Sequence, residues 1–285
     1  MKTLIISDII DNAHSIIPYG LNIGKHSQTR VNVIHLIDPR EEQGTYSPES
    51  DSHSVTPGQK LTQEQLLKKE ETKARTLLDR LLSKEASRLN FPLRVDQTIE
   101  IRPVEQAFEE ILNADPESLV ITGIHPAPSM VDTLAELLKI IGPMNNPILI
   151  IPPEQRFVPP KEALLISDFQ AYSEIFQGML SWLKLFDLRI NAFAITNPDK
   201  ASEARSRGQQ WKKDSEKEGE PTLINQAGVL EGDDAVKTLI DHVHHHKPDL
   251  VIIPKSNQSA FADYLYAGKH AGQFIEALGK PVLLY

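Results

Sequence analysis

The chain contains no cysteine, which excludes disulfides, thiolate metal sites and a cysteine nucleophile. It also lacks an excess of basic charge. The formal net charge is −9 at pH 7, whereas a general nucleic-acid or anionic-membrane binder needs a basic face. No apolar run approaches the roughly 20 residues that cross a bilayer. The amino-terminal apolar run is broken by Asp8 and Asp11, too short and too acidic for a signal peptide. No G-x-S-x-G elbow, Walker loop or H-E-x-x-H motif occurs. Ser7 and Ser167 each precede an aspartate, but no histidine is placed by sequence to activate them, which argues against acyl transfer. These absences predict a soluble cytoplasmic protein with neither nucleic acid nor membrane as partner.

What is present is a repeat. Leu4-Ile5-Ile6-Ser7-Asp8 returns as Leu164-Leu165-Ile166-Ser167-Asp168. Each copy is a short apolar run without helical period, closed by a hydroxyl and a carboxylate. That pattern reads as a buried strand delivering polar groups to a loop. At 285 residues, 40% hydrophobic and 24% charged, the chain has room for two globular domains.

The order of elements supports a duplication. In the first half, Asn12 or Ser15 caps a helix bearing Ile16, Ile17, Leu21 and Ile23. Arg30 to Ile37 is a second strand ended by Asp38-Pro39, and residues 40–60 are a long exposed polar loop. A long helix from about Thr62 to Ser87, a strand from Val95 to Ile101 and a helix from Val104 to Leu112 follow. The half closes with the strand Leu119–Gly123, a helix from Val131 to Ile141 and the run Pro147–Ile151. Four prolines within 152–160 make a stiff extended linker. In the second half, strand 164–168 precedes a helix with Ile175, Phe176, Met179, Leu183 and Phe186 on one face. Arg189 to Ile195, Thr222 to Gln226, Leu250 to Pro254 and Pro281 to Tyr285 are strands; Asp199 to Glu220 and Asp234 to Val243 are helical. Five strands matched in one order predict internal duplication, with domains at 1–152 and 161–285 and a linker at 153–160.

Strands alternating with helices at this spacing predict an α/β fold with parallel sheets. Two such units resemble tandem universal stress protein domains of the adenine nucleotide alpha-hydrolase-like superfamily. The resemblance rests on Asp8 and Asp168 closing the first strands, the polar-Pro turns Asp38-Pro39 and Asn197-Pro198, Pro248-Asp249-Leu250-Val251-Ile252-Ile253, and the closing Pro281-Val282-Leu283. It implies two tandem open five-stranded parallel sheets in strand order 3-2-1-4-5, with helices on both faces. Ligands of such sheets bind at the carboxyl ends of the strands, where the order reverses between strands one and four. It further implies that Asp8 and Asp168, with Ile37 and Ile195 at the ends of the second strands, face an adenosine. A glycine-rich loop after strand four would cradle phosphates through its N–H groups.

That loop departs from the family pattern in both halves. In the first, Gly123 is followed by Pro126 at the second glycine position, and proline removes an N–H. In the second, Pro254 replaces the first glycine and Asn257 the second; Gly268-Lys269 lies near the third, shifted by one. Lys255, Ser256, Asn257, Ser259, Gly268 and Lys269 are the remaining candidate phosphate contacts. Asp8 and Asp168 also have a plainer reading, as N-cap or turn residues. The run His242, His244, His245, His246 has a metal reading, since 242/245 and 242/246 share a helix face, and a plainer one as a solvated helix C-terminus. The second reading is preferred, and no metal is assigned. His125, in the loop after strand four, reads as a surface or hydrogen-bonded residue.

The sequence therefore predicts a stress-response binding or regulatory module with degenerate nucleotide loops, without turnover and with no resident cofactor. One alternative is an ATP- or AMP-binding protein, with slow ATPase activity, using the second half alone. The other is an interaction scaffold that docks an unidentified protein through loop 40–60 and segment 199–220. The expected assembly is a pseudo-dimer of the two halves through antiparallel pairing of 147–151 with 281–285, with room for a homodimer of chains.

Overall fold

The computed structural model describes residues 2–6, 13–39, 62–89, 94–124, 134–169, 183, 186–217, 224–255, 261 and 271–285. Its strands are β1 (Lys2–Ile6), β2 (Arg30–Ile37), β3 (Val95–Ile101), β4 (Leu119–Gly123) and β5 (Ile148–Ile151), then β6 (Glu162–Ile166), β7 (Arg189–Thr196), β8 (Ile224–Glu231), β9 (Leu250–Ile253) and β10 (Val282–Leu284). Its α-helices are α1 (Ala13–Ser27), α2 (Gln63–Leu89), α3 (Val104–Asn113), α4 (Leu134–Ile141), α5 (Ala201–Lys217), α6 (Ala235–His246) and α7 (Ala271–Leu278).

All ten strands form one sheet, in the order β3-β2-β1-β4-β5-β10-β9-β6-β7-β8. Every pairing is parallel except β5 with β10, where Val282, Leu283 and Leu284 oppose Ile150, Leu149 and Ile148. Each half thus has the order 3-2-1-4-5, and the two orders meet back to back. Because β5 and β10 run in opposite directions, the carboxyl ends of the two sets of strands lie on opposite edges of the sheet.

Strand alternation splits the core into two layers. Ile5, Ile121, Leu165 and Ile252 pack under α1, α2 and α5, where Ile16, Leu78, Ala204 and Trp211 are buried. Leu4, Val120, Leu164 and Val251 pack against α3, α4, α6 and α7, which bring Phe108, Leu138, Leu239 and Phe274. Central strands β4 and β9 are buried at every residue, which accounts for their continuous apolar runs.

Local chemistry fixes several boundaries. Thr62 Oγ1 accepts from Gln65 N at 3.3 Å while Gln65 Oε1 accepts from Thr62 N at 3.0 Å, a capping box that starts α2. Asp234 accepts from the N–H groups of Val236 and Lys237 and starts α6. That helix ends at Lys247, in the left-handed conformation at φ 50°. Helix α3 has Pro103 at its N-cap with no side-chain cap bond, and Asp38 Oδ2, at the end of β2, accepts from Val104 N at 3.3 Å.

Several boundaries differ from the sequence expectation, among them the ends of two strands in the second half. The first strand of the second half spans Glu162–Ile166, so Ser167 and Asp168 follow it as a turn. Strand β8 runs to Glu231, well past Gln226. Its Ala227-Gly228 step carries little apolar signal, because Gly228 lies against the Phe193 ring, where a Cβ would sit 2.8 Å from Cε1. Loop 40–60 and most of the helix read at 175–186 lie outside the described residues.

Candidate functional site

The strand order reverses twice, between β1 and β4 and between β6 and β9, and the carboxyl ends of such pairs are where open α/β sheets form a ligand crevice. Asp8 and His125 lie outside the described residues, as do Pro126 and its loop. Of the residues described beside the first crevice, Ile37 is buried and its carbonyl accepts from Arg102 N at 3.1 Å, and the Asp38 carboxylate next to it is buried as well. Gly123, the one loop glycine retained there, has a packing role. A Cβ at that position would lie 2.5 Å from Ile16 Cδ1 and 3.2 Å from the Ile151 carbonyl. Its missing side chain lets α1 sit directly on β4.

The second crevice is better defined. Beyond β6, Ser167 N donates to Phe193 O at 3.0 Å, and Ser167 Oγ accepts from Phe169 N at 3.0 Å. This local bond tightens the turn and holds Phe169 at φ 61°. The Phe169 ring is buried against Trp211, 5.5 Å between centroids, and against Gly208. Between these two anchored residues Asp168 stands exposed. Ile195, at the end of β7, is half-buried.

Opposite them, β9 ends in Pro254-Lys255. Lys255 N donates to Tyr285 O at 2.7 Å, and Tyr285 N donates to Ile253 O at 3.2 Å. Lys255 Nζ donates to the main-chain carbonyls of Met144 at 2.5 Å and Asn146 at 2.7 Å. Burial pushes this ammonium down to about 8. Asn146 is itself buried, and its Nδ2 donates to Asp115 O and Ser118 O. The end of β9 is thereby tied to the start of β5 and to the entry of β4 in the other half. Tyr285 Oη donates to Ile166 O at 3.2 Å. Burial, with Asp168 nearby, raises its phenol well above the usual tyrosine value.

Of the residues singled out by sequence, Asp168 and Lys255 follow the ends of the paired strands β6 and β9, but the Lys255 ammonium turns away to the start of β5; Ile195 lies near the end of the adjoining strand and Ile37 in the other half. Ser256, Asn257, Ser259, Gly268 and Lys269 lie outside the described residues. Sequence reasoning missed Asn146 and Tyr285. Two signals pointed to them: a polar pair, Asn145-Asn146, just before a buried strand, and a tyrosine where the other half has Ile151.

The histidines sit on α6. His242 packs on Phe193 and His246, at centroid distances of 5.0 and 4.1 Å. Burial and the neighbouring imidazoles push it down to about 4. His244 Nε2 lies 2.7 Å from Ala277 O. Among the described residues no group of three or more His, Asp or Glu side chains is arranged to hold a metal ion, and none of their helices is long and apolar enough to cross a membrane.

Solved structures with this architecture cover nearly the whole chain. A universal stress protein from Archaeoglobus fulgidus matches at TM-score 0.62 and 11% identity, over 99% of this chain and 95% of that one. The chain has a universal-stress-protein-like fold. A putative universal stress protein from Pseudomonas aeruginosa matches at TM-score 0.51 and 11% identity, covering 99% and 91%. The cytoplasmic domain of a prokaryotic cation chloride cotransporter matches at TM-score 0.52 and 9% identity, covering 99% and 94%. No protein-family profile matches the sequence, and no curated protein does either.

Proposed function

We propose that this protein is a tandem universal stress protein in which both nucleotide loops are degenerate. Residues 1–152 and 161–285 are its two modules and 153–160 their linker. It acts by binding, as a stress-linked regulatory or protective module, without turnover of its own. The observation that carries this reading is the end of β9. Where a phosphate loop needs an N–H on a flexible glycine, the chain has Pro254, and the cation that follows gives two of its three donors to the Met144 and Asn146 carbonyls. In the first half the sequence supports the same reading through Pro126. The back-to-back sheet favours a pseudo-dimer within one chain, with outer strands β3 and β8 left for association with a second chain or a protein partner.

Mass spectrometry of the purified, denatured protein is the test. The expected result is no ATP or AMP. A stoichiometric adenine nucleotide would replace this reading with that of a nucleotide-binding protein working through the second half.

A further inference from the structure

The second crevice contains a substitution of one hydrogen-bond donor by another. Residues 253 and 255 turn their polar main-chain atoms toward β10, because Ile253 O accepts from Tyr285 N and Lys255 N donates to Tyr285 O. By strand alternation, residue 254 faces the other way, toward β6. Continuing the register in which Leu164 opposes Val251 and Leu165 opposes Ile252, an N–H at 254 would donate to the Ile166 carbonyl. Proline has none. Among the described residues, the donor found on that carbonyl is the Tyr285 hydroxyl.

The reach is informative. Tyr285 follows β10, Ile166 ends β6, and β9 lies between them. The tyrosine side chain therefore crosses the carboxyl end of β9, over the crevice, to arrive beside Asp168. The first half has neither feature: at the corresponding register, Gly123, which has an N–H, opposes Ile151, which has no hydroxyl.

We infer that Pro254 and Tyr285 form a compensating pair: the tyrosine hydroxyl supplies the bond that the proline cannot, and its ring closes the crevice between β6 and β9. Tyr285 is a positioning residue that turns this crevice into a structural seam, unavailable to a ligand that needs the Ile166 carbonyl. This deepens the reading of the second half as degenerate and rests on it, but its test requires no ligand.

The test is a double-mutant cycle on the full chain, read as midpoints of urea unfolding. Tyr285→Phe removes only the hydroxyl, and Pro254→Ala restores an N–H at 254. Tyr285→Phe should lower the midpoint clearly in the wild-type background and by no more than about a third as much beside Pro254→Ala, since coupling between bonded groups is what such a cycle isolates. Equal losses in both backgrounds overturn the inference, because a tyrosine that merely packs would not depend on residue 254. So does Tyr285→Phe without effect in the wild-type background. Should Pro254→Ala fail to fold, Pro254→Gly restores the same N–H and is held to the same criterion. A nucleotide found on the wild-type protein would instead count against the proposed function, so the two failures are separable.

Discussion

Between pH 8 and pH 10 the folded state should gain stability, and Lys255 should be the cause. Its ammonium is half-buried between the halves, and its pKa falls from the ordinary 10.5 to about 8. In that interval the unfolded chain keeps a proton that the folded chain has released. Stability therefore rises with pH wherever the unfolded state binds more protons. Integrating the two titration curves from pH 8 to 10 gives about 2 kcal/mol, at about 1.4 kcal/mol per tenfold change. The rise should not continue. Tyr19 and Tyr285 are both held above the ordinary tyrosine value of 10 by burial, with Asp249 and Asp168 contributing. Above pH 10 the unfolded phenols ionise first, and the sign reverses. The assay is urea unfolding at pH 8, 9 and 10 for the wild type and Lys255→Met. The wild type should gain stability across the series, while the variant, with no ammonium to release, should show no gain and should fall slightly toward pH 10 as the unfolded phenols begin to ionise. A flat wild-type series, or a variant that keeps the rise, would refute the assignment.

Three further outcomes follow from particular contacts. Asp234→Ala should cost about 1 kcal/mol in thermal unfolding, because two N–H groups of α6 lose their acceptor, and Asp234→Ser should recover most of it. Gly123→Ala should destabilise by about 1–3 kcal/mol through its clash with Ile16 Cδ1; Ile16→Val, which removes that carbon, should relieve much of the loss, and no relief would place the strain elsewhere. His242, neutral in the fold down to about pH 4 against an ordinary value of 6.5, should make stability fall as the pH drops from 6.5 toward 4. His242→Phe should remove that part of the acid dependence while keeping the contact with Phe193.

Much of the fold was legible because its signals are local. Strand β2 is read at Arg30 to Ile37 because β-branched residues alternate and Asp38-Pro39 stops them. The buried runs of β4 and β9 announce strands covered on both faces. The capping pair Thr62 and Gln65 was not read from the sequence, although T-x-x-Q is a local signature of a helix start. Strand β8 was read short because the ring of Phe193 covers Gly228, and a glycine gives no apolar signal of its own. The site was less legible for a different reason. Lys255 reads as a phosphate ligand from its place in the loop, but its partners, Met144 and Asn146, lie 111 and 109 residues away. Tyr285 meets Ile166 across 119 residues. Only the sheet brings such groups together, so composition and spacing cannot announce them.

On the proposed reading the second crevice is a closed seam that holds no nucleotide. Calorimetric titration of the full chain with ATP and Mg²⁺, carried to millimolar ligand, tests it most directly. No saturable heat, and no accompanying rise in melting temperature, is the predicted result. Saturable binding at one equivalent per chain, weakened by Asp168→Ala, would contradict it.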